Sequence, residues 1–190
     1  AYQRVLLHLG PQSTGLLVDL GCGEGHLLAL VRAVAPGMEL LGLDHDEGRV
    51  NTARLALAGE PGLTLATGDA RQVDLPPADL ICCIDLLHYF PPEDQDALLQ
   101  RLVRALAPGG LLLIRDGRSD AGLRSTLTRW SEQLAVATGR HRGEGVFFRT
   151  AAELREVLEA AGLTVEVQPC SENTPFANMI WIGRRAQEDS

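Results

Sequence analysis

The chain has 190 residues, 45% of them apolar and 22% charged, the size and composition of one globular domain with a full α/β core. Its formal charge of −8 argues against a general nucleic-acid binder, which needs a basic field to neutralise phosphates, and no apolar run approaches the roughly 20 residues of a membrane span. All 17 basic residues are arginine, which excludes a Walker lysine, a Schiff-base lysine and the Tyr-x-x-x-Lys pair of some dehydrogenases.

Residues 2–9 read as the end of a helix, so part of the natural N-terminus is expected to be missing, and residues 1–14 lead into the first strand. Leu16-Leu17-Val18-Asp19-Leu20 is a short apolar run fit for a buried strand. Gly21, Gly23 and Gly25 turn the chain into an amphipathic helix over residues 25–34, stopped by Pro36-Gly37. A second strand spans residues 39–44, a helix residues 46–58, and a third strand residues 63–67, followed by Gly68-Asp69-Ala70. The near-continuous apolar run at residues 79–84 fits a parallel strand covered on both faces.

Pro91-Pro92-Glu93 opens a helix running through Leu106 and closed by Pro108-Gly109-Gly110, and residues 111–114 form a fifth strand. Residues 120–138 look helical and residues 139–145 form a polar loop. Thr150-Ala151-Ala152-Glu153 is a capping box for a helix to Ala161, with Gly162 behind it as a stop. Residues 163–167 and 177–183 are two late strands, and the polar tail from Arg184 is expected to fray. Strands alternating with helices in this way build an α/β doubly wound sheet of seven strands, with helices on both faces and no second domain within residues 1–190.

The most specific signal is Val18-Asp19-Leu20-Gly21-Cys22-Gly23-Glu24-Gly25, answered by Asp44 at the end of the second strand. A backbone without Cβ atoms can lie against a ligand, and the helix behind it offers free N–H groups. Asp44 is placed to hold a ribose diol, so the unit reads as a nucleoside-binding βαβ. The spacing departs from G-x-G-x-x-G, because the third glycine comes one residue early and His26 takes its place. Asp19 ahead of the first glycine would repel a pyrophosphate but suits a ligand carrying an ammonium and a sulfonium. At these residues the chain resembles the class I S-adenosylmethionine-dependent methyltransferases.

The resemblance spans residues 16–183 and implies strand order 3-2-1-4-5-7-6 with the last strand antiparallel. It implies S-adenosyl-L-methionine as cofactor, surrounded by Asp19, Gly21, Cys22, Gly23, Gly25, Asp44, His45, Asp69, Ala70 and Asp85. Asp19 would hold the ammonium or fix the glycine loop, Asp44 both ribose hydroxyls, and Asp69 the adenine amino group, with the Ala70 N–H meeting the ring. It also places Ile84-Asp85-Leu86-Leu87-His88-Tyr89-Phe90 beside the sulfonium. A hydroxyl acceptor has to lose its proton, and His88 is the best-placed base, with Asp116 a second catalytic candidate. Metal-dependent catechol methyltransferases carry acids near Asp85 and Asp116 but an Asn after the second, where this chain has Gly117, so no metal is expected.

Residues 117–150 are expected to cover the acceptor, with Trp130, His141, Arg142, Phe147, Phe148 and Arg149 as distinctive side chains. From Arg115 to Arg149 seven arginines face four acids, which suits an anionic acceptor, a carrier protein or simply a solvated helix face. The four cysteines form no C-x-x-C pair, and no basic region precedes an apolar core at the N-terminus, so a cytoplasmic protein is expected. The chain thus reads as an enzyme that methylates a small-molecule or carrier-bound acceptor, most simply on oxygen, as a monomer or homodimer. A Rossmann-type oxidoreductase and a non-catalytic cofactor-binding homologue are the alternatives; the early third glycine and the missing lysine speak against the first.

Overall fold

A computed structural model describes residues 2–119, 145–170 and 178–187. Helix α1 (Tyr2–Leu6) leads to β1 (Leu16–Leu20), α2 (His26–Val34), β2 (Glu39–Asp44), α3 (Glu47–Ala56) and β3 (Leu63–Thr67). Then come β4 (Ala78–Ile84), a 3-10 turn (Leu87–Tyr89), α4 (Pro92–Ala105), β5 (Leu106–Gly117), α5 (Ala151–Ala160), β6 (Leu163–Pro169) and β7 (Asn178–Arg185). The strands join one seven-stranded sheet in the order β3-β2-β1-β4-β5-β7-β6. The first five run parallel to one another, and β7 runs antiparallel to both β5 and β6, as the family resemblance implies.

Alternation along the central strands explains why they read as unbroken apolar runs. Val18 and Leu20 of β1, with Ile81 and Cys83 of β4, face one layer, where Leu98, Leu99 and Leu102 of α4 and Leu154 and Leu158 of α5 pack. Leu17, Leu80 and Cys82 face the other, against Leu27, Leu28 and Val31 of α2 and Val5 of α1. Both faces are covered, so each strand has to be apolar on both sides. Trp181 on β7 is buried, and its indole N–H donates to Ala151 O at 3.1 Å, which fixes the start of α5. The Thr150 capping box is present, with the Thr150 N–H donating to the Glu153 carboxylate.

Several boundaries differ from the sequence reading; among them, β7 runs on to Arg185, so Arg184, where the tail was expected to fray, is paired with both β5 and β6. Helix α4 stops at Ala105, and β5 begins at Leu106, well before the expected residue 111. Leu106 pairs with Ala78, and the register then shifts, so Pro108-Gly109-Gly110 lies inside β5 as a bulge. A Cβ at Gly110 would come within 2.8 Å of Ala107 O, so this close approach needs the glycine. At its other end β5 extends to Gly117 because β7 pairs with it there, Gly117 against Asn178. The expected helix at residues 120–138, the following loop, Trp130, His141 and Arg142 lie outside the described residues. Among those described, no helix is long and apolar enough to cross a membrane.

Leu112 is fully buried at the centre of β5. Leu112→Ala is expected to cost about 2–5 kcal/mol, read in denaturant unfolding as a lower midpoint with an unchanged slope.

Candidate cofactor cleft

The site begins where β1 ends. Gly21, Gly23 and Gly25 all adopt left-handed backbone, at φ 75, 53 and 80. The N–H groups of Gly21 and Cys22 donate to Leu43 O at 2.8 and 3.0 Å, which ties the turn to the end of β2. At Gly23 a Cβ would also fall 2.5 Å from the Arg49 guanidinium. Gly25 caps α2 without any side-chain acceptor, so the helix starts with its N–H groups uncovered by a cap side chain.

Asp44 is buried and holds this turn. Its Oδ2 accepts from the Gly23 N–H at 2.8 Å and its Oδ1 from the Asp46 N–H at 2.9 Å. Asp46 caps α3 itself, accepting from Gly48 and Arg49, so Asp44 is not needed as the cap. A carboxylate offers about four acceptor sites, which leaves Asp44 about two for a ligand.

Asp19 is 3% exposed, and no described residue donates a hydrogen bond to it. Burial, with the nearby Asp44 charge adding to it, pushes its carboxyl up to about 8. A buried carboxyl that lacks a donor suits a cationic ligand group.

A cavity of about 510 Å³ opens at the carboxyl ends of β1, β2, β3 and β4. Of the expected cofactor residues, Gly21, Asp44, His45, Asp69, Ala70 and Asp85 line it. Cys22, Gly23, Gly25 and Asp19 do not line it; Gly23 is tied to the lining residue Asp44, and Cys22 to Leu43. No described residue accepts from the Ala70 N–H. Asp69 is less open than expected, because Arg71 holds both its oxygens and keeps its carboxyl below the usual range. Phe90, from the stretch expected beside the sulfonium, and Phe147, expected over the acceptor, also line the cavity, together with Arg49, Arg71 and Asp94, which were not foreseen. Among the described residues Asp85 is the one non-glycine with left-handed backbone, at φ 53, and its carboxylate pairs with Arg115.

His88 and Asp116 come together beyond this cavity. His88 Nδ1 lies 2.6 Å from Asp116 Oδ1, and the His88 N–H donates to Asp116 Oδ2 at 3.0 Å. The Gly117 N–H holds the same carboxylate at 2.7 Å. With Nδ1–H donating, the other ring nitrogen carries the lone pair. The pair lines a small gap under Phe148, which stacks on the imidazole with ring centroids 5.0 Å apart. Phe147 lines both this gap and the large cavity, so the imidazole lies one side chain from the cleft.

Gln95 supports that wall. Its buried amide donates to Phe90 O and Phe147 O, both at 2.8 Å, and accepts from Arg149 at 2.9 Å. Asp85 and Asp116 hold different partners, and among the described residues no group of His, Cys, Asp or Glu is arranged to hold a metal ion.

This architecture is matched by known proteins. Residues 1–168 match a family model described as a methyltransferase domain. A carboxy-S-adenosyl-L-methionine synthase of Chromohalobacter salexigens is 38% identical over 103 residues, covering 52% of this chain and 38% of that protein. A trans-aconitate 2-methyltransferase of Methylobacterium nodulans is 38% identical over 100 residues, covering 52% and 37%. Among solved structures, human N-acetylserotonin methyltransferase in complex with S-adenosylmethionine superposes with a TM-score of 0.67 at 25% identity, over 90% of this chain and 48% of that one.

The chain belongs to the methyltransferase-domain family and carries the class I S-adenosylmethionine-dependent methyltransferase domain. It spans less than half the length of these curated relatives.

The elevated Asp19 carboxyl makes a proton-linked prediction. At pH 7 it is mostly protonated in the free protein, and an arriving ammonium favours its charged form. Binding of S-adenosylhomocysteine is therefore expected to release a proton, seen as a buffer-dependent heat in calorimetry, and Asp19→Asn is expected to abolish that dependence. In the free protein a raised carboxyl lowers stability as pH climbs from about 4 to about 8, and Asp19→Asn should flatten this stretch of the stability curve.

Proposed function

We propose that this domain transfers the methyl group of S-adenosylmethionine to a hydroxyl of a small-molecule or carrier-bound acceptor. The observation that carries the reading is the unmet polarity of the cleft: a buried Asp19 without a donor, spare acceptor sites on Asp44 and an unused N–H at Ala70. These are the complements of an ammonium, a ribose diol and a purine ring nitrogen. When bound, the cofactor supplies an electrophilic methyl group on a sulfonium. The chain then has to align the nucleophile and exclude water.

In this reading the acceptor proton passes to His88 Nε2 while Asp116 holds Nδ1–H. The trans-aconitate activity of one relative and the arginines between Arg115 and Arg149 support an anionic acceptor. Residues 1–190 act as one domain, monomeric or homodimeric. A cytoplasmic setting fits the four free thiols.

Burial of His88 at 2% exposure favours a second role, in which the pair only fixes the loop after β4. One variant separates the two. As a base, His88→Ala loses about 10²–10⁴ in kcat and its pH dependence, with S-adenosylhomocysteine affinity retained. As a loop-fixing residue it mainly raises the acceptor KM.

Asp44→Ala is expected to weaken S-adenosylhomocysteine by about tenfold or more in calorimetry. An unchanged affinity would remove the ribose assignment. The acceptor is sought by measuring S-adenosylhomocysteine release with hydroxylated aromatics, acyl carriers and trans-aconitate. Release with none of the three classes would count against the acceptor classes proposed here.

A further inference from the structure

Arg71 follows the Gly68-Asp69-Ala70 turn and folds back onto it. Its Nε lies 3.1 Å from both Asp69 oxygens, its Nη2 donates to Oδ2 at 2.7 Å, and its backbone N–H donates to Oδ1 at 2.9 Å. On the far side Nη1 donates to Asp94 Oδ2 at 2.9 Å. The guanidinium carbon lies 5.3 Å from the centroid of the Phe90 ring, within cation–π range. Arg101 in α4 donates to the Arg71 carbonyl. A side chain of this length on a loop is held at so many points only at a cost in conformational entropy. Asp69, Arg71, Phe90 and Asp94 all line the large cavity.

The remaining acceptor capacity of Asp69 can be counted. Of about four sites on the carboxylate, the Nε/Nη2 fork takes two and the Arg71 backbone N–H a third. One is left on Oδ2, next in sequence to the unused Ala70 N–H. An acceptor beside a donor matches the edge of a 6-amino purine, which offers an amino donor and a ring-nitrogen acceptor. A 6-oxo purine reverses both groups and would meet Asp69 with an oxygen.

This discrimination needs Asp69 charged and held in one plane. A guanidinium fork does both, where an ammonium supplies the charge alone.

We propose that Arg71 is a positioning residue that sets the base selectivity of the cleft, acting through Asp69 to favour a 6-amino over a 6-oxo purine. The proposal rests on the cofactor reading above. It is tested by calorimetric Kd values for S-adenosylhomocysteine and S-inosylhomocysteine on the full chain, as wild type, Arg71→Met and Arg71→Lys.

The wild type is expected to prefer the adenosyl ligand by about a hundredfold. Arg71→Met should weaken the adenosyl ligand by about tenfold while moving the inosyl ligand less than about twofold, so the ratio collapses. Arg71→Lys should recover part of that ratio. Equal weakening of both ligands in Arg71→Met, as a merely structural role would give, overturns the proposal, and so does an unchanged ratio. If wild type binds neither ligand, the cofactor reading itself fails. If it binds S-adenosylhomocysteine and only the ratio is insensitive to Arg71, that reading stands and this proposal alone is lost.

Discussion

The cleft depends on the carboxylate of Asp44. It joins the turn after β1, through the Gly23 N–H, to the start of α3, through the Asp46 N–H. Leu43 O does the same from the residue before, accepting from Gly21 and Cys22. Two adjacent strand ends are thereby locked together by three hydrogen bonds, from the N–H groups of Gly21, Cys22 and Gly23, in a turn whose left-handed positions suit glycine. The glycine conformations, the start of α2 and the position of the remaining Asp44 acceptor sites all follow from that lock. A charged acceptor on backbone N–H groups is among the stronger hydrogen bonds a protein can make, which suits a joint between loops.

Charge is distributed unevenly around this joint. Burial raises the Asp19 carboxyl, and the nearby Asp44 charge adds to it. Asp44 is compensated by backbone donors; Asp19 is compensated by nothing in the described chain. A protein pays for such an arrangement in stability unless a ligand completes it, and a cationic amino-acid moiety does so. At the opposite end Asp69 is over-provided, with Arg71 gripping it from two directions. The two ends of the cleft thus differ: Asp19 is an unmet acceptor behind one end and Asp69 a rigidly held one at the other.

The wall around His88 is built differently, from residues far apart in the chain. The Phe147 N–H donates to His88 O, and Phe147 O accepts from Gln95. Arg149 reaches Gln95 and Pro92 O. The segment that returns to the sheet before α5 is thus stitched to the loop after β4 and to the first turns of α4. The His88 ring is covered by Phe148 on a face and held at its Nδ1 edge by the Asp116 carboxylate near the end of β5.

By itself the sequence determined the strand count, the parallel core and the cofactor class, because these depend on local pattern. Apolar runs of strand length, glycine spacing and acids at strand ends are properties of adjacent residues. The bulge at Pro108-Gly109-Gly110 was not legible, since Pro-Gly-Gly stops a helix equally well and only the pairing of Leu106 with Ala78 made it part of β5. Arg71, Gln95 and Arg49 carried no motif, and their parts in the cleft come from side chains that reach other elements. His88 and Asp116 were separately visible as candidates, but their hydrogen bond spans 28 positions of the chain and two strands of the sheet. Local chemistry decides which residue types gather at the strand ends. Only the packing of the sheet against its helices decides which of them touch.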